Sequence, residues 1–378
     1  MAINLRSPHY TGTVIATTAY ATLDISIWEG SVTSPVAAQY NLRKSIVGTS
    51  TSVFFEISEL VRDYIDITFD GNYTAQNVWV KTVQTVYNSA NAVLATIPIT
   101  TIAYDSYSYF EEPNFNINLF PILITNREIF ALEDNVFRIP INTVNNPSIV
   151  FYKDGEVIAS QSFNTSLYSS EQIKYVSIYG DSVNWDTFQE RVIEDNGKYE
   201  PNACLQSFFD NYSISAVDKI TVSANGKIET IKVNVIEECK YEPKKVTFIN
   251  KFGALQDMYF FKKSVEKMTV EKESYKSNII SSLGTYNPTN HVNRDFNVVG
   301  KESITLSSGF LSEEYNEVFK QMMLSEKVWV TNIIETGEQV IPINVKTSEI
   351  TYKTSLNNKL VEYTIEFDKS FDTINNIR

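Results

Sequence analysis

Apolar and polar residues alternate along much of the chain. In Leu23-Asp24-Ile25-Ser26-Ile27-Trp28 the apolar side chains recur at every second position, the period of a half-buried strand. Val78, Val80 and Val83 mark another strand after the Asp70-Gly71 turn signal, and Val93 to Thr101 a further one. From Ser58 to Ile65 the period changes. Ser58 suits an N-cap, Glu59 the first turn, and Leu60, Val61 and Tyr64 share one face of a short helix. Strands at this spacing predict a small β-sandwich for residues 1–113. The alternation lapses at Glu111-Glu112-Pro113, where proline has no N–H to give a ladder, and a boundary is placed there.

Residues 114–243 predict a second β domain, anchored by two hairpins. Ile149–Lys153 and Glu156–Ser160 flank Asp154-Gly155, and Lys219–Ser223 and Lys227–Val235 flank Asn225-Gly226. Both dipeptides favour the tight type I′ turn, which needs positive φ at its two central residues. Trp185, Phe188, Val192 and Ile193 predict one helical stretch, and Glu242-Pro243 closes the domain. Residues 244–378 predict strands over Val246–Asn250, Asp257–Lys262, Val265–Glu271, Asn297–Leu306, Lys327–Ile334 and Val340–Val345. After an Asn357-Asn358 turn comes a last strand in which Val361, Tyr363, Ile365 and Phe367 alternate with polar residues. Among them lies one clear helix, 312–324, with Ser312 as cap, Glu313 and Glu314 in its first turn, and Leu311, Tyr315, Val318, Phe319, Met322 and Met323 on one face. Tyr315, Phe319 and Met322 are expected to bury against a sheet of this third domain. The fold class is therefore all-β: two immunoglobulin- or fibronectin-III-like sandwiches followed by a β-sandwich with one packed helix.

Composition supports strands and changes the picture of partners. Tyr and Phe number 22 each, and aromatics reach 13%. Charged residues are 20%, below the usual quarter, as expected of a surface covered by partners and equally of chance. The net charge of −13 with no basic block argues against a protein that grips nucleic acid. An acidic wall suits a channel through which DNA slides without sticking, and also suits ordinary solubility. Cys204 and Cys239 are too few for a disulfide framework or a zinc site; they are read as reduced thiols, with a single bridge left open. Met1 to Pro8 lacks the apolar core of a signal peptide, and no run of about 18 apolar residues predicts a membrane span.

Chemistry is sparse. His9 and His291 stand outside any metal spacing, and no nucleophile elbow, P-loop or dinucleotide fingerprint occurs. Glu111-Glu112, Glu237-Glu238 and Glu313-Glu314 are read as solvated or helix-start carboxylates in preference to a glycosidase pair. Tyr104, Tyr107 and Tyr109 are candidates for stacking on sugars, with core or interface burial favoured. No catalytic residue, metal or cofactor is expected. The segment Lys262, Lys263, Glu266, Lys267, Glu271, Lys272, extended by Glu273 and Lys276, mixes both signs along one strand and is the candidate interface with a neighbouring copy.

The run Lys245-Val-Thr-Phe-Ile-Asn-Lys-Phe-Gly-Ala-Leu-Gln-Asp-Met-Tyr-Phe-Phe-Lys-Lys263 resembles a segment of virion structural proteins from tailed phages of Bacteroidetes hosts, including crAss-like phages. Phe55-Glu-Ile-Ser-Glu-Leu-Val-Arg-Asp-Tyr64, the Tyr109–Glu112 linker and the ending Ile374-Asn-Asn-Ile-Arg378 resemble the same proteins, while the middle domain does so least. The third domain also looks like the tube-type modules of phage tails. The resemblance implies a non-enzymatic subunit of the tail or neck, made in the bacterial host cytoplasm and built into the virion. Its expected partners are other copies of itself in a ring and other tail, portal-adjacent or fibre proteins, with DNA only in transit through a channel. The alternative is a tail-tip adaptor or carbohydrate-binding module associated with fibres; a depolymerase usually brings a long repetitive β-helix, and no repeat occurs here.

Overall fold

A computed structural model describes residues 2–33, 35–46, 52–113, 115–132, 136–163, 173–179, 217–236, 240–334, 337–351 and 360–374. The predicted helix at Trp185–Ile193, both cysteines, the Asn357-Asn358 turn and the last four residues lie outside them. The fold is all-β, with strands dominating and two α-helices among the described residues. No helix among the described residues is long and apolar enough to cross a membrane.

The chain forms two compact units that do not follow the three expected segments. The first takes Met1–Glu238, Thr247–Asp257 and Glu314–Ser325; the second takes Cys239–Val246, Met258–Glu313 and Glu326–Arg378. The boundary at residue 113 is thereby corrected, because one buried cluster runs across it. Trp28, Trp79 and Tyr104 pack in the same cluster as Phe115, Ile117, Leu123 and Phe252. A Pro that breaks a ladder ends a strand without ending a core.

In the first unit, β1 (Ile3–Asn4), β3 (Tyr20–Trp28), β4 (Tyr40–Ser45), β6 (Asn77–Tyr87) and β7 (Val93–Tyr104) form one sheet, in the order β1-β7-β6-β3-β4. Its inner face carries the alternating residues Leu23, Ile25, Ile27, Val78 and Val80, which pack with Val53 and Phe55 of β5 (Ser52–Glu56) and with Val61. β2 (Tyr10–Val14) pairs with β5. A second sheet has the order β11-β10-β13-β14-β8, from β8 (Glu128–Leu132), β10 (Ser148–Lys153), β11 (Glu156–Ser162), β13 (Lys219–Ala224) and β14 (Lys227–Ile236). β9 (Val136–Asn142) pairs with β12 (Ile173–Tyr179). Both expected hairpins form, with φ of 51° and 86° at Asp154 and Gly155 and of 51° and 74° at Asn225 and Gly226.

Helix α1 (Ser58–Arg62) begins where expected but is capped differently. The Ncap is Ile57, and no side chain caps it from that position. The Glu56 carboxylate instead accepts the Ser58 N–H at 2.9 Å, the Ser58 hydroxyl and, at 3.2 Å, the His9 N–H. A carboxylate beside orphan N–H groups does what a capping hydroxyl would do.

A seven-stranded sheet has the order β16-β15-β20-β21-β23-β18-β17. Its strands are β15 (Lys244–Ile249), β16 (Leu255–Phe260), β17 (Val265–Lys276), β18 (Asn293–Ser307), β20 (Val328–Ile334), β21 (Gly337–Val345) and β23 (Thr364–Lys369). Of these, β17, β18, β20, β21 and β23 belong wholly to the second unit. The chain changes unit within β15 and again within β16. A short pair, β19 (Leu311–Ser312) with β22 (Leu360–Val361), completes the unit. Phe260 and Phe367 meet edge to face at 6.2 Å and are both fully buried.

Helix α2 covers Tyr315–Met323, three residues shorter at its start than expected. Ser312 cannot cap it, because Leu311 and Ser312 are extended and pair with Val361 and Leu360. Tyr315, Phe319 and Met322 are buried. The helix belongs to the first unit, not to a sandwich of residues 244–378. Its polar residues explain that placement: the Gln321 side chain accepts the Lys251 N–H at 3.1 Å and donates to Thr125, while Tyr315 stacks on Phe130 at 5.7 Å.

Candidate assembly surface

β17 and β18 pair antiparallel from Val265↔Thr305 to Lys276↔Asn293. β18 pairs with β23 only over Ser303–Ser307. The remaining length of β17 and β18 is thus a two-stranded ribbon, and β17 is the outermost described strand of its sheet. All twelve residues of β17 are exposed. A register shift between Glu271 and Glu273 sets Lys272 against two residues of β18, and Asn297 there has φ of 49°, a left-handed conformation that asparagine tolerates. The loop that joins the strands carries Ile280, Leu283 and Tyr286 in solvent, Leu283 at 87% exposure.

Side chains alternate across the ribbon. Lys267, Thr269 and Glu271 share one face, where Glu271 pairs with Lys301 at 3.1 Å. Glu266, Met268, Val270 and Lys272 share the other, where Lys272 pairs with Asp295 at 2.7 Å. Of the remaining candidates, Lys263 is exposed and precedes the strand. Lys262 is exposed too, but its backbone N–H bonds to the Ser307 carbonyl at 3.2 Å and its stem lies across Gly309, where a Cβ would stand 2.9 Å from its Cε. At the base of the ribbon Lys369 pairs with Glu302, and that ammonium holds the Glu302 carboxyl below its ordinary range. These two, with Glu266, Met268, Ile304 and Ile343, border an open cleft of about 240 Å³.

The other chemical candidates have structural partners. Tyr104 and Tyr107 are buried and offer no platform to a sugar. Burial pushes the Tyr107 hydroxyl up to about 12. Tyr109 donates to Glu317 at 2.6 Å; burial and then that carboxylate raise its pKa further. Glu112 pairs with the nearly buried Lys251, whose ammonium sits 4.4 Å from the Tyr109 ring centre and 4.7 Å from that of Phe115. The stretch Tyr109–Glu112 is therefore anchored as one half of a cation–aromatic cage, with Lys320 over the Tyr109 ring at 3.6 Å. Glu314 accepts the Arg127 N–H at 3.0 Å, and Glu237-Glu238 lies outside the described residues. His9 is partly buried, which lowers its pKa; His291 is exposed.

One buried polar centre escaped the sequence reading. Asp257 accepts the Tyr73 hydroxyl at 2.5 Å and the Thr247 hydroxyl at 2.8 Å, and Arg138 lies over the Tyr73 ring at 4.2 Å. Burial first, and the Asp257 charge second, raise the Tyr73 pKa well above its ordinary value. In sequence Asp257 stands just ahead of the run Met258-Tyr259-Phe260-Phe261 and carries no motif that would mark it as buried.

No family model matches the chain, and no curated protein matches it. A solved structure that it resembles is trypsin-activated alpha-2-macroglobulin from Escherichia coli, with 6% sequence identity and a TM-score of 0.22. The match takes in 97% of this chain and spans 21% of the length of that one, a likeness too slight to bear on fold or function.

Proposed function

We propose that this chain is a non-enzymatic structural subunit of a bacteriophage virion, acting in the tail or neck as a ring or hub that continues the DNA channel or joins tail components. The observation that carries the reading is the ribbon: a twelve-residue outermost strand, exposed along its whole length, with both charge signs and apolar residues on it. A protein that works alone normally blunts such an edge, because its unpaired N–H and C=O groups template pairing with another chain. The resemblance of Lys245–Lys263 and of Tyr109–Glu112 to phage virion proteins supplies the setting. The acidic balance of −13 suits a wall past which phosphate slides. Head-to-tail repetition of one contact closes a ring, with an interface expected above about 1,000 Å² per neighbour.

Negative-stain microscopy and analytical ultracentrifugation of the purified full chain test this. Closed rings or regular oligomers are expected. A monomer throughout the accessible concentration range overturns the assembly reading. Release of reducing sugar from capsular or cell-wall polysaccharide, abolished by one carboxylate substitution, overturns the non-enzymatic one.

A further inference from the structure

The edge of β17 has a property that exposure alone does not require. From Glu266 to Lys272 the chain reads Glu-Lys-Met-Thr-Val-Glu-Lys. Laid antiparallel on a second copy with Thr269 opposite Thr269, Glu266 meets Lys272, Lys267 meets Glu271, and Met268 meets Val270. The two-fold axis repeats each pairing, so opposite charges meet on both sides of the central threonines and no like charges are opposed within the seven residues. Directly opposed residues of antiparallel strands point to the same face. The new partners therefore extend bridges already present, into rows Lys301–Glu271–Lys267 on one face and Asp295–Lys272–Glu266 on the other. A slip of one residue in one direction sets Glu266 against Glu271. A slip in the other sets Lys267 against Lys272 and Glu266 against Glu273. The pattern thus selects one register and penalises its neighbours.

We infer that β17 is the pairing strand of a two-fold contact between copies of this chain, centred on Thr269, which joins two ribbons into a four-stranded sheet β18-β17-β17-β18. The partner is a second copy because the charge pattern is antisymmetric about Thr269, and only a strand with the same sequence makes use of that. The inference rests on the reading of the chain as an assembly subunit and names one of its contacts. Seven paired residues bury much less than the ~1,600 Å² of a standard interface, so the contact works as one among several and is strengthened by their multiplicity. A two-fold contact of this kind joins two rings face to face or two neighbours in a pair, and adds to whatever head-to-tail contact closes a ring.

Directly opposed antiparallel residues have Cα atoms about 4.5–5.5 Å apart, within disulfide reach. The full chain carrying Thr269→Cys, in a background with Cys204→Ser and Cys239→Ser, is oxidised beside Met268→Cys in the same background and beside the wild type. The expected result is a disulfide-linked dimer from Thr269→Cys, formed much faster than from Met268→Cys, whose counterpart is Val270. In the otherwise native chain K267E should weaken self-association by about tenfold or more, since it opposes carboxylates twice per contact. K267E/E271K/K301E, which reverses the row on that face, should restore it. If Thr269→Cys links no faster than Met268→Cys while the chain still sediments as an oligomer, the two-fold register falls and the assembly reading stands. If K267E weakens association and the triple reversal fails to restore it, the pairing of Lys267 with Glu271 falls. A chain that neither links nor associates removes both.

Discussion

The two outermost described strands of the seven-stranded sheet have opposite fates. Every residue of β16 is buried, and every residue of β17 is exposed. β16 has one charged residue in six and β17 six in twelve, yet β16 still buries Gln256 and Asp257. What separates them is how their polar groups are satisfied. On β16, Asp257 takes two hydroxyls, Gln256 bonds to Asn250 and Asn126, and the Leu255 N–H finds the Tyr175 hydroxyl. On β17 the charges pair in the open, with Lys301 and Asp295. On one edge the polar side chains find buried partners within the chain, and the other is built of groups that water satisfies until a partner replaces it.

The largest break in this comparison is a cavity. Phe260→Ala, at the end of β16 against Phe367, is expected to cost about 3–5 kcal/mol, whereas Met268→Ala on β17 should stay within about 0.5 kcal/mol. Urea unfolding of the two variants measures the contrast. A loss from Met268→Ala that matches Phe260→Ala would mean that the ribbon is packed in the single chain. The next effect is polar. Asp257→Ala leaves the Tyr73 and Thr247 hydroxyls buried without their acceptor and is expected to cost about 1–3 kcal/mol. Tyr73→Phe, which removes the donor and leaves the carboxylate with Thr247, should cost less. An Asp257→Ala variant as stable as the wild type would show that water reaches the centre.

How far these differences were legible follows from their range. The Asp154-Gly155 and Asn225-Gly226 turns were readable because positive φ at both central residues is a local demand that few dipeptides meet. The apolar face of α2 was readable from its 3–4 spacing, but its start was not: Ser312 looks like a cap until Leu311 and Ser312 are seen pairing with Val361 and Leu360, far along the chain. The mixed charges of Lys262–Lys272 marked an exposed strand, which begins at Val265, and the exposed Lys262 ahead of it lays its stem over Gly309. Lys251 and Asp257 were not legible as buried, because what pays for their desolvation is supplied by Glu112, Tyr109 and Phe115 for one and by Tyr73 and Thr247 for the other. The division into units failed at residue 113 for the same reason: Phe115, Phe252 and Trp79 share a cluster that no local pattern announces.

Acid offers a milder test of enclosed against open polar groups. Burial lowers the His9 pKa from its ordinary 6.5, so the unfolded chain binds that proton more readily than the folded one. Stability from this source is complete above about 6.5 and is lost as pH falls through the lower folded value. Burial alone would raise Glu56, but the Ser58 hydroxyl and the Ser58 and His9 N–H groups together hold it below 4.5. Its contribution is present above about 4.5 and is lost at more acid pH, as the folded value is passed. Urea midpoints should therefore decline in two stages on acidification, and His9→Asn should flatten the upper one. An unaltered profile in that variant would assign the upper stage to another group.

The smallest expected effect is the most telling for β17. Lys301 and Glu271 lie 3.1 Å apart with side chains 55% and 61% exposed. An ion pair so open gains little over water and gives up rotamer freedom, so Lys301→Ala should change the folding stability of the single chain by no more than about 0.2–1 kcal/mol, and less in salt. The same substitution acts differently where copies associate. Glu271 would lose the cation that neutralises it within its own chain, and Lys267 of a second copy would become its principal partner. Urea unfolding under dilute, monomeric conditions should thus be almost unaltered, while self-association becomes more sensitive to ionic strength, as sedimentation across a salt series would register. A loss of several kcal/mol in the dilute urea experiment would show that Lys301 and Glu271 hold the ribbon together within one chain, and the contrast between the two edges of the sheet would then be one of degree.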